Sequence, residues 1–235
     1  MKEQPILMNS AMVRALLNGS KTQTRRVMKP QPEPSPHRPG DYQWPCNAFQ
    51  SMVSVADTRA PGAHGMAGDA CPHGGHGEQM WVRETFVAFG RWETRFSDKK
   101  KRDEWHFVDM TLELGLQYRF DGAALSKKRY AGAMPTWCIR PSIFMPRAAS
   151  RILLEVVSVR VERLQDISDA DIVAEGIDME VLAESQDRYD IVCKGTDASG
   201  RATERSAWRD LWESTGGDWE ANPWCWAITF KRVAP

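Results

Sequence analysis

The stretch Ile152-Leu-Leu-Glu-Val-Val-Ser-Val-Arg-Val-Glu-Arg163, followed at once by Leu164-Gln-Asp-Ile-Ser-Asp-Ala-Asp-Ile-Val-Ala-Glu-Gly176, changes its hydrophobic period in mid-course. Val157, Val159 and Val161 alternate with Ser158, Arg160 and Glu162, the period of two that gives a strand one apolar and one wet face. Over 166–176 the pattern becomes helical: Ser168 is placed to cap, acidic residues fill the first turn where the helix dipole favours them, and Gly176 is the stop. A long strand running into a helix points to a mixed α+β chain, and the many other short strands suggest a small mixed β-barrel with helices between.

Working outward, residues 10–19 predict a short helix, with Ser10 as N-cap and Gly19 where a left-handed residue belongs, followed by an extended run over 22–27. Further strands are predicted at Gln79–Phe86, Glu104–Val108, Leu116–Phe120 and Trp224–Arg232, the last with Trp224, Trp226, Ile228 and Phe230 alternating as in a half-buried strand. A helix is predicted over 202–214, with Trp208, Leu211 and Trp212 on one side, and a solvated turn at Asp98–Asp103. Residues 30–78 differ in texture, holding eight of the 14 prolines, seven of the 17 glycines and four of the five histidines, and read as a long loop or insertion; 87–135 reads as a second insertion in one domain spanning 1–235.

The 31 basic and 31 acidic side chains cancel, which argues against a protein that coats nucleic acid by nonspecific phosphate contact and leaves only local contact open. No run approaches ~18 consecutive apolar residues and no signal-peptide apolar region is recognisable, so a cytoplasmic protein without membrane partners is expected. Cys46, Cys71, Cys138, Cys193 and Cys225 are odd in number and irregularly spaced, as reduced thiols are.

Three groups of residues carry chemistry. In Asn18-Gly-Ser-Lys-Thr-Gln-Thr-Arg-Arg-Val27, a partly buried Lys21 is suited to act as base toward Thr24, but on a regular strand the two would face opposite ways, so Lys21 must lie in the helix-to-strand turn or beside a bulge. The alternative is a solvated edge with salt-bridged bases. Glu175 ends a helix, where a carboxylate is disfavoured, and calls for a basic partner such as Lys21 or Arg26. Cys46, Cys71, His73 and His76 have the chemistry of zinc ligands in a spacing that matches no common finger or ribbon, and loop composition is the commoner origin of such a run; no cofactor is otherwise expected. The ten tryptophans read mainly as core, with Trp44, Trp92 and Trp219 expected to be exposed.

Residues 6–27, 80–86, 141–156, 161–177 and 219–233 together resemble the ASCH-domain family, in particular its longer phage and prophage members. The resemblance implies a PUA-like fold, a small β-barrel flanked by helices with a cleft for a nucleobase or a short piece of RNA. Small ASCH members that hydrolyse N4-acetylcytidine use a Lys, a Thr three residues later and a Glu after the long strand. By that likeness Lys21 is the base, Thr24 the nucleophile, and Glu175 orients Lys21 or protonates the departing amine, while Arg26, with Arg25 beside it, binds substrate. The chain departs from the minimal hydrolases in its insertions, so three functions remain open: an amidohydrolase acting on N4-acylated cytosine nucleosides, a module binding RNA or modified nucleobases without catalysis, and a ribonuclease.

Overall fold

The computed structural model describes residues 3–60, 65–121, 134–193 and 201–233. Its first elements are β1 (Glu3–Leu7), α1 (Ser10–Asn18), β2 (Gln23–Val27), β3 (Glu33–Pro34), β4 (Tyr42–Cys46), β5 (Ser51–Ser54), α2 (Val55–Arg59) and α3 (Met66–Ala70). They are followed by β6 (Gln79–Arg83), β7 (Phe86–Ser97), β8 (Arg102–Asp109), β9 (Thr136–Arg140), β10 (Leu153–Arg163), α4 (Asp169–Ala174), α5 (Met179–Cys193), α6 (Glu204–Ser214) and β11 (Trp224–Val233). The protein is therefore α+β. Its strands fall into three sheets, none of which closes into a barrel among the described residues, because β2 is left at an edge with β11 as its sole partner. Among these residues no helix is long and apolar enough to cross a membrane.

Contacts divide the chain into two compact units, the first comprising Met1–Gln4, Ala11–Met80 and Ile152–Pro235. Within it β10 and β11 pair antiparallel from Leu153↔Val233 to Arg163↔Trp224, with a register shift between Val156 and Ser158. That irregularity corrects the expected parity of the strand: Val156 and Val161 are buried while Val157 is turned out to solvent, since an extra residue in one strand re-aims its neighbours. β11 also pairs with β2, from Cys225↔Val27 to Thr229↔Gln23. Having partners along both edges, β11 is covered on both faces as well, so Cys225 and Ala227 are buried together with Trp224, Trp226 and Ile228, and the half-buried reading fails. On one face Cys225 joins Leu164, Ile167, Ile172, Trp208, Trp212 and Trp219 in a core cluster. On the other, Trp226 meets the edge of Trp44 at 5.6 Å and Trp224 meets Tyr42 at 5.1 Å.

Residues 30–78 are thus more than a loop, since they hold the three-stranded sheet β3-β4-β5 and the short helices α2 and α3. The same packing corrects the expected exposure of Trp44 and Trp219, both of which are buried, whereas Trp92 is half-buried. α5 had no clear sequence signal: Val181 and Ile191 are exposed, whereas Leu182 is buried.

The second unit comprises Pro5–Ser10 and Trp81–Arg151. β7 is the central strand of the sheet β8-β7-β9, paired with β8 from Gly90↔Asp109 to Ser97↔Arg102 and with β9 from Phe86↔Arg140 to Gly90↔Thr136. The strand expected at Leu116–Phe120 is reduced to one bridge between Arg119 and Val87. Gly90 is a close-approach position: a Cβ there would lie 2.1 Å from the Val108 carbonyl oxygen and 2.7 Å from the Phe107 ring. Because backbone cannot yield as a side chain can, Gly90→Ala is expected to cost at least ~1–3 kcal/mol, read as a lower urea midpoint. An unchanged midpoint would contradict this packing.

Candidate functional site

The site begins where α1 ends. Gly19 takes a left-handed φ of 85°, and the Lys21 amide donates back to the Ala15 carbonyl at 3.0 Å, so the chain turns sharply before β2 starts at Gln23. Lys21 therefore precedes the strand that carries Thr24, and the parity objection does not apply to it. The turn is fixed from outside: the Thr22 amide donates to Ala174 at 2.8 Å, and the Phe230 amide donates to Thr22 at 2.9 Å.

Glu175 comes to the same point from α4. Ser168 caps the helix by accepting from the Asp171 amide, Glu175 is the C-terminal cap at φ −71°, and Gly176 reverses the chain at φ +85°. A Cβ on Gly176 would stand 2.8 Å from Ala15 Cβ and 2.9 Å from Lys21 Cβ, so both the backbone conformation and the space demand glycine. The Lys21 ammonium donates to the Glu175 backbone carbonyl and to its Oε2, each at 2.7 Å. One cation thus answers an orphan helix-end carbonyl and the misplaced carboxylate together. Both side chains are essentially closed to solvent, at 0% and 1% exposure.

Arg25 is the hub of the surrounding network. It donates to Glu175 Oε1 at 3.1 Å, to Gln23 Oε1 at 2.7 Å, to Asp171 Oδ2 at 3.2 Å and, in a very short contact, to Glu162. Gln23 in turn donates to Asp171 Oδ1 at 2.9 Å and to the Thr229 hydroxyl at 3.2 Å, while Arg160 reaches Asp171 Oδ2 at 2.7 Å. Both terminal nitrogens of Arg25 are thereby bound to protein acceptors, which makes it a positioning group for Glu175. Burial alone would raise the Asp171 carboxyl, but the Gln23 hydrogen bond and the charges of Arg160 and Arg25 outweigh it and hold Asp171 below its ordinary range.

Beside this network lies a cavity of about 230 Å³ whose wall includes Thr24, Arg25, Arg26 and Glu175 from the β2 and α4 side and Trp208, Trp212 and Gly217 from α6 and the turn after it. Lys21 lies outside that wall. Both hydrogen bonds of its ammonium go to Glu175, and neither goes to Thr24. The structure therefore joins Lys21 to Glu175 directly, and brings Thr24, Arg26 and Glu175 to one cavity. Burial lowers the Lys21 pKa from its usual 10.5, with Glu175 partly offsetting it. Burial likewise lowers Arg26, again with Glu175 opposing.

Cys46, Cys71, His73 and His76 do not assemble: among the described residues no group of three or more His, Cys, Asp or Glu side chains is arranged to hold a metal. Cys46 and Cys71 are buried free thiols, as are Cys138 and Cys225. Desolvation raises the Cys71 thiol to about 12, and burial, reinforced by the charge of Arg26, lowers His73 to about 4.

Sequence reasoning missed Gln23, Glu162 and Asp171 as parts of the site, and read Trp208 and Trp212 mainly as core. The i, i+2 spacing of Gln23 and Arg25 on one strand was the available signal, because residues two apart share a face. Compared with known proteins, the chain matches no family model, no curated protein and no solved structure.

Removing one partner of a buried ion pair strands the other, at a typical cost of ~3–5 kcal/mol. Glu175→Ala is expected to show a loss of that order in urea denaturation, partly recovered when Lys21→Met is added. A loss close to that of an exposed pair, below about 1 kcal/mol, would contradict the closed geometry.

Proposed function

We propose that the protein is an amidohydrolase that removes the acyl group from N4-acylated cytosine nucleosides. The observation that carries this reading is the buried Lys21–Glu175 pair immediately behind a cavity walled by Thr24, Arg26 and Glu175. The resemblance to the ASCH-domain family, with its PUA-like cleft, supports the same residues in the same roles. The cavity volume of about 230 Å³ lies below the ~300–1,000 Å³ of pockets that hold drug-sized ligands, which suits a single ring with a small substituent better than a polymer.

In this mechanism Lys21 acts in its neutral form, to which its lowered pKa gives access. Its amine exchanges one Glu175 contact for the Thr24 hydroxyl and takes the proton as Thr24 Oγ1 bonds to the acyl carbon. Arg26 stabilises the oxyanion that forms, and the charge balance favours it: the cations Lys21, Arg25, Arg26 and Arg160 face the carboxylates Glu162, Asp171 and Glu175, four against three. The carbon–N4 bond then breaks and the proton held by the Lys21–Glu175 pair passes to N4, releasing cytidine. Water attacks the acyl-Thr24 ester, giving the free acid and restoring the hydroxyl.

Purified protein is expected to convert N4-acetylcytidine to cytidine, followed by chromatography. Lys21→Met should lower kcat/KM by ~10²–10⁴-fold and Thr24→Val by at least about a hundredfold, with Thr24→Ser retaining measurable turnover. Absence of turnover, or turnover indifferent to Thr24→Val, would refute the assignment. Because the neutral amine is required, kcat/KM should rise with pH through an apparent pKa below 10.5. A rate that is flat with pH, or falls across that limb, would remove Lys21 as base.

Binding of RNA or a modified nucleobase without chemistry is the second reading. It is favoured by the Lys21 ammonium giving both its contacts to Glu175. Ligand binding that weakens steeply with salt, with no product formed, would select it.

A further inference from the structure

The proposed mechanism uses the β2 and α4 side of the cavity and leaves the α6 side without a role. Trp208 and Trp212 both line the cavity and are both buried, at 2% and 7% exposure. The indole Nε1 of each is buried without a hydrogen-bond partner among the described residues. Buried indole N–H groups ordinarily find an acceptor, and a buried donor without one is a standing cost that a bound acceptor removes. Trp224 has the same unmet donor, but it does not line this cavity.

The turn after α6 bears on the same edge. Thr215, Gly216 and Gly217 line the cavity, the Gly217 amide donates to the Trp212 carbonyl at 3.3 Å, and Gly216 takes a left-handed φ of 84°. A Cβ on Gly217 would lie 2.3 Å from Trp212 Nε1, so bare glycine backbone covers that donor. With two successive glycines, the turn sets no side chain of its own over that donor.

We propose that Trp208 and Trp212 are the ring-recognition pair of the site, donating their indole N–H groups to the acceptor edge of a 2-oxopyrimidine, its O2 and N3, with the Gly216–Gly217 turn yielding as the ring enters. The inference rests on the proposed function for the identity of the ring. With the acyl amide held at Thr24 and Glu175, the ring lies against the α6 wall, which offers donors and no charged acceptor of its own. The site then discriminates by ring chemistry: a ring bearing the same acyl amide but lacking acceptors leaves both N–H groups buried and unmet.

The test is a titration of the full chain, labelled with 15N at tryptophan, with cytidine, which the enzyme does not consume. Indole resonances are assigned with Trp208→Phe and Trp212→Phe. Cytidine is expected to shift the Trp208 and Trp212 indole signals and leave that of Trp224 in place. Each Phe variant should weaken cytidine binding about tenfold, and acetanilide should bind at least tenfold more weakly than N4-acetylcytosine. Cytidine binding with both indole signals unmoved, equal binding of acetanilide, or no binding of cytidine would each overturn the proposal. The outcome is separable from the hydrolase reading. Shifted indole signals without turnover leave ring recognition standing and remove the chemistry, whereas turnover with silent indoles does the reverse.

Discussion

A lysine ammonium and a glutamate carboxylate, both closed to water, meet at 2.7 Å, and the structure at the end of α4 and before β2 makes that contact tolerable. Taking two charges out of water is expensive, and their attraction compensates only when the remaining hydrogen-bonding capacity is also met. Here the ammonium satisfies a helix-end carbonyl as well as the carboxylate, and Arg25 takes the second carboxylate oxygen. The Ser168 cap fixes where α4 begins, Gly176 lets Lys21 approach the end of that helix, and the turn at Gly19 delivers Lys21 before the strand starts. Substitution at any of these points acts on the pair.

The same arrangement gives the site its chemical bias. Burial favours the neutral amine, while Glu175 favours the ammonium, and the net effect is a lysine that releases its proton more readily than one in water. The proposed catalysis draws on this: between the folded Lys21 pKa and 10.5 the unfolded chain binds more protons, so the cost of the buried ammonium falls as pH rises and folding becomes more favourable. Activity and stability should therefore change in the same direction over that interval. Arg25 and its carboxylates tie β2 to β10 and α4, and Arg26 brings positive charge to the cavity wall.

Much of this was legible in the sequence. The Ser168 cap, the Gly176 stop and the oddity of Glu175 at a helix end could be read directly, and that oddity correctly demanded a basic partner. The parity of Lys21 and Thr24 could be posed as a question but not answered, because it depended on where β2 begins. What could not be read was long-range. The β10 bulge that turns Val157 outward leaves no local mark, and Cys225 and Ala227 are buried because α4, α6 and neighbouring strands cover them. Residues 30–78 concealed a small sheet because its strands are short and rich in proline. Trp208 and Trp212 showed the spacing of core residues, and they are core residues, but their unmet donors become apparent only once the cavity beside them is formed.

The most direct test of the account is the titration of Lys21 itself, followed through its side-chain 15N signal in the folded protein and assigned with Lys21→Met. The account predicts a midpoint below 10.5 that moves lower still when Glu175→Gln removes the carboxylate's support for the charged form. A midpoint at or above 10.5 would contradict it, since Lys21 would then be an ammonium locked in a structural ion pair and unable to serve as a base.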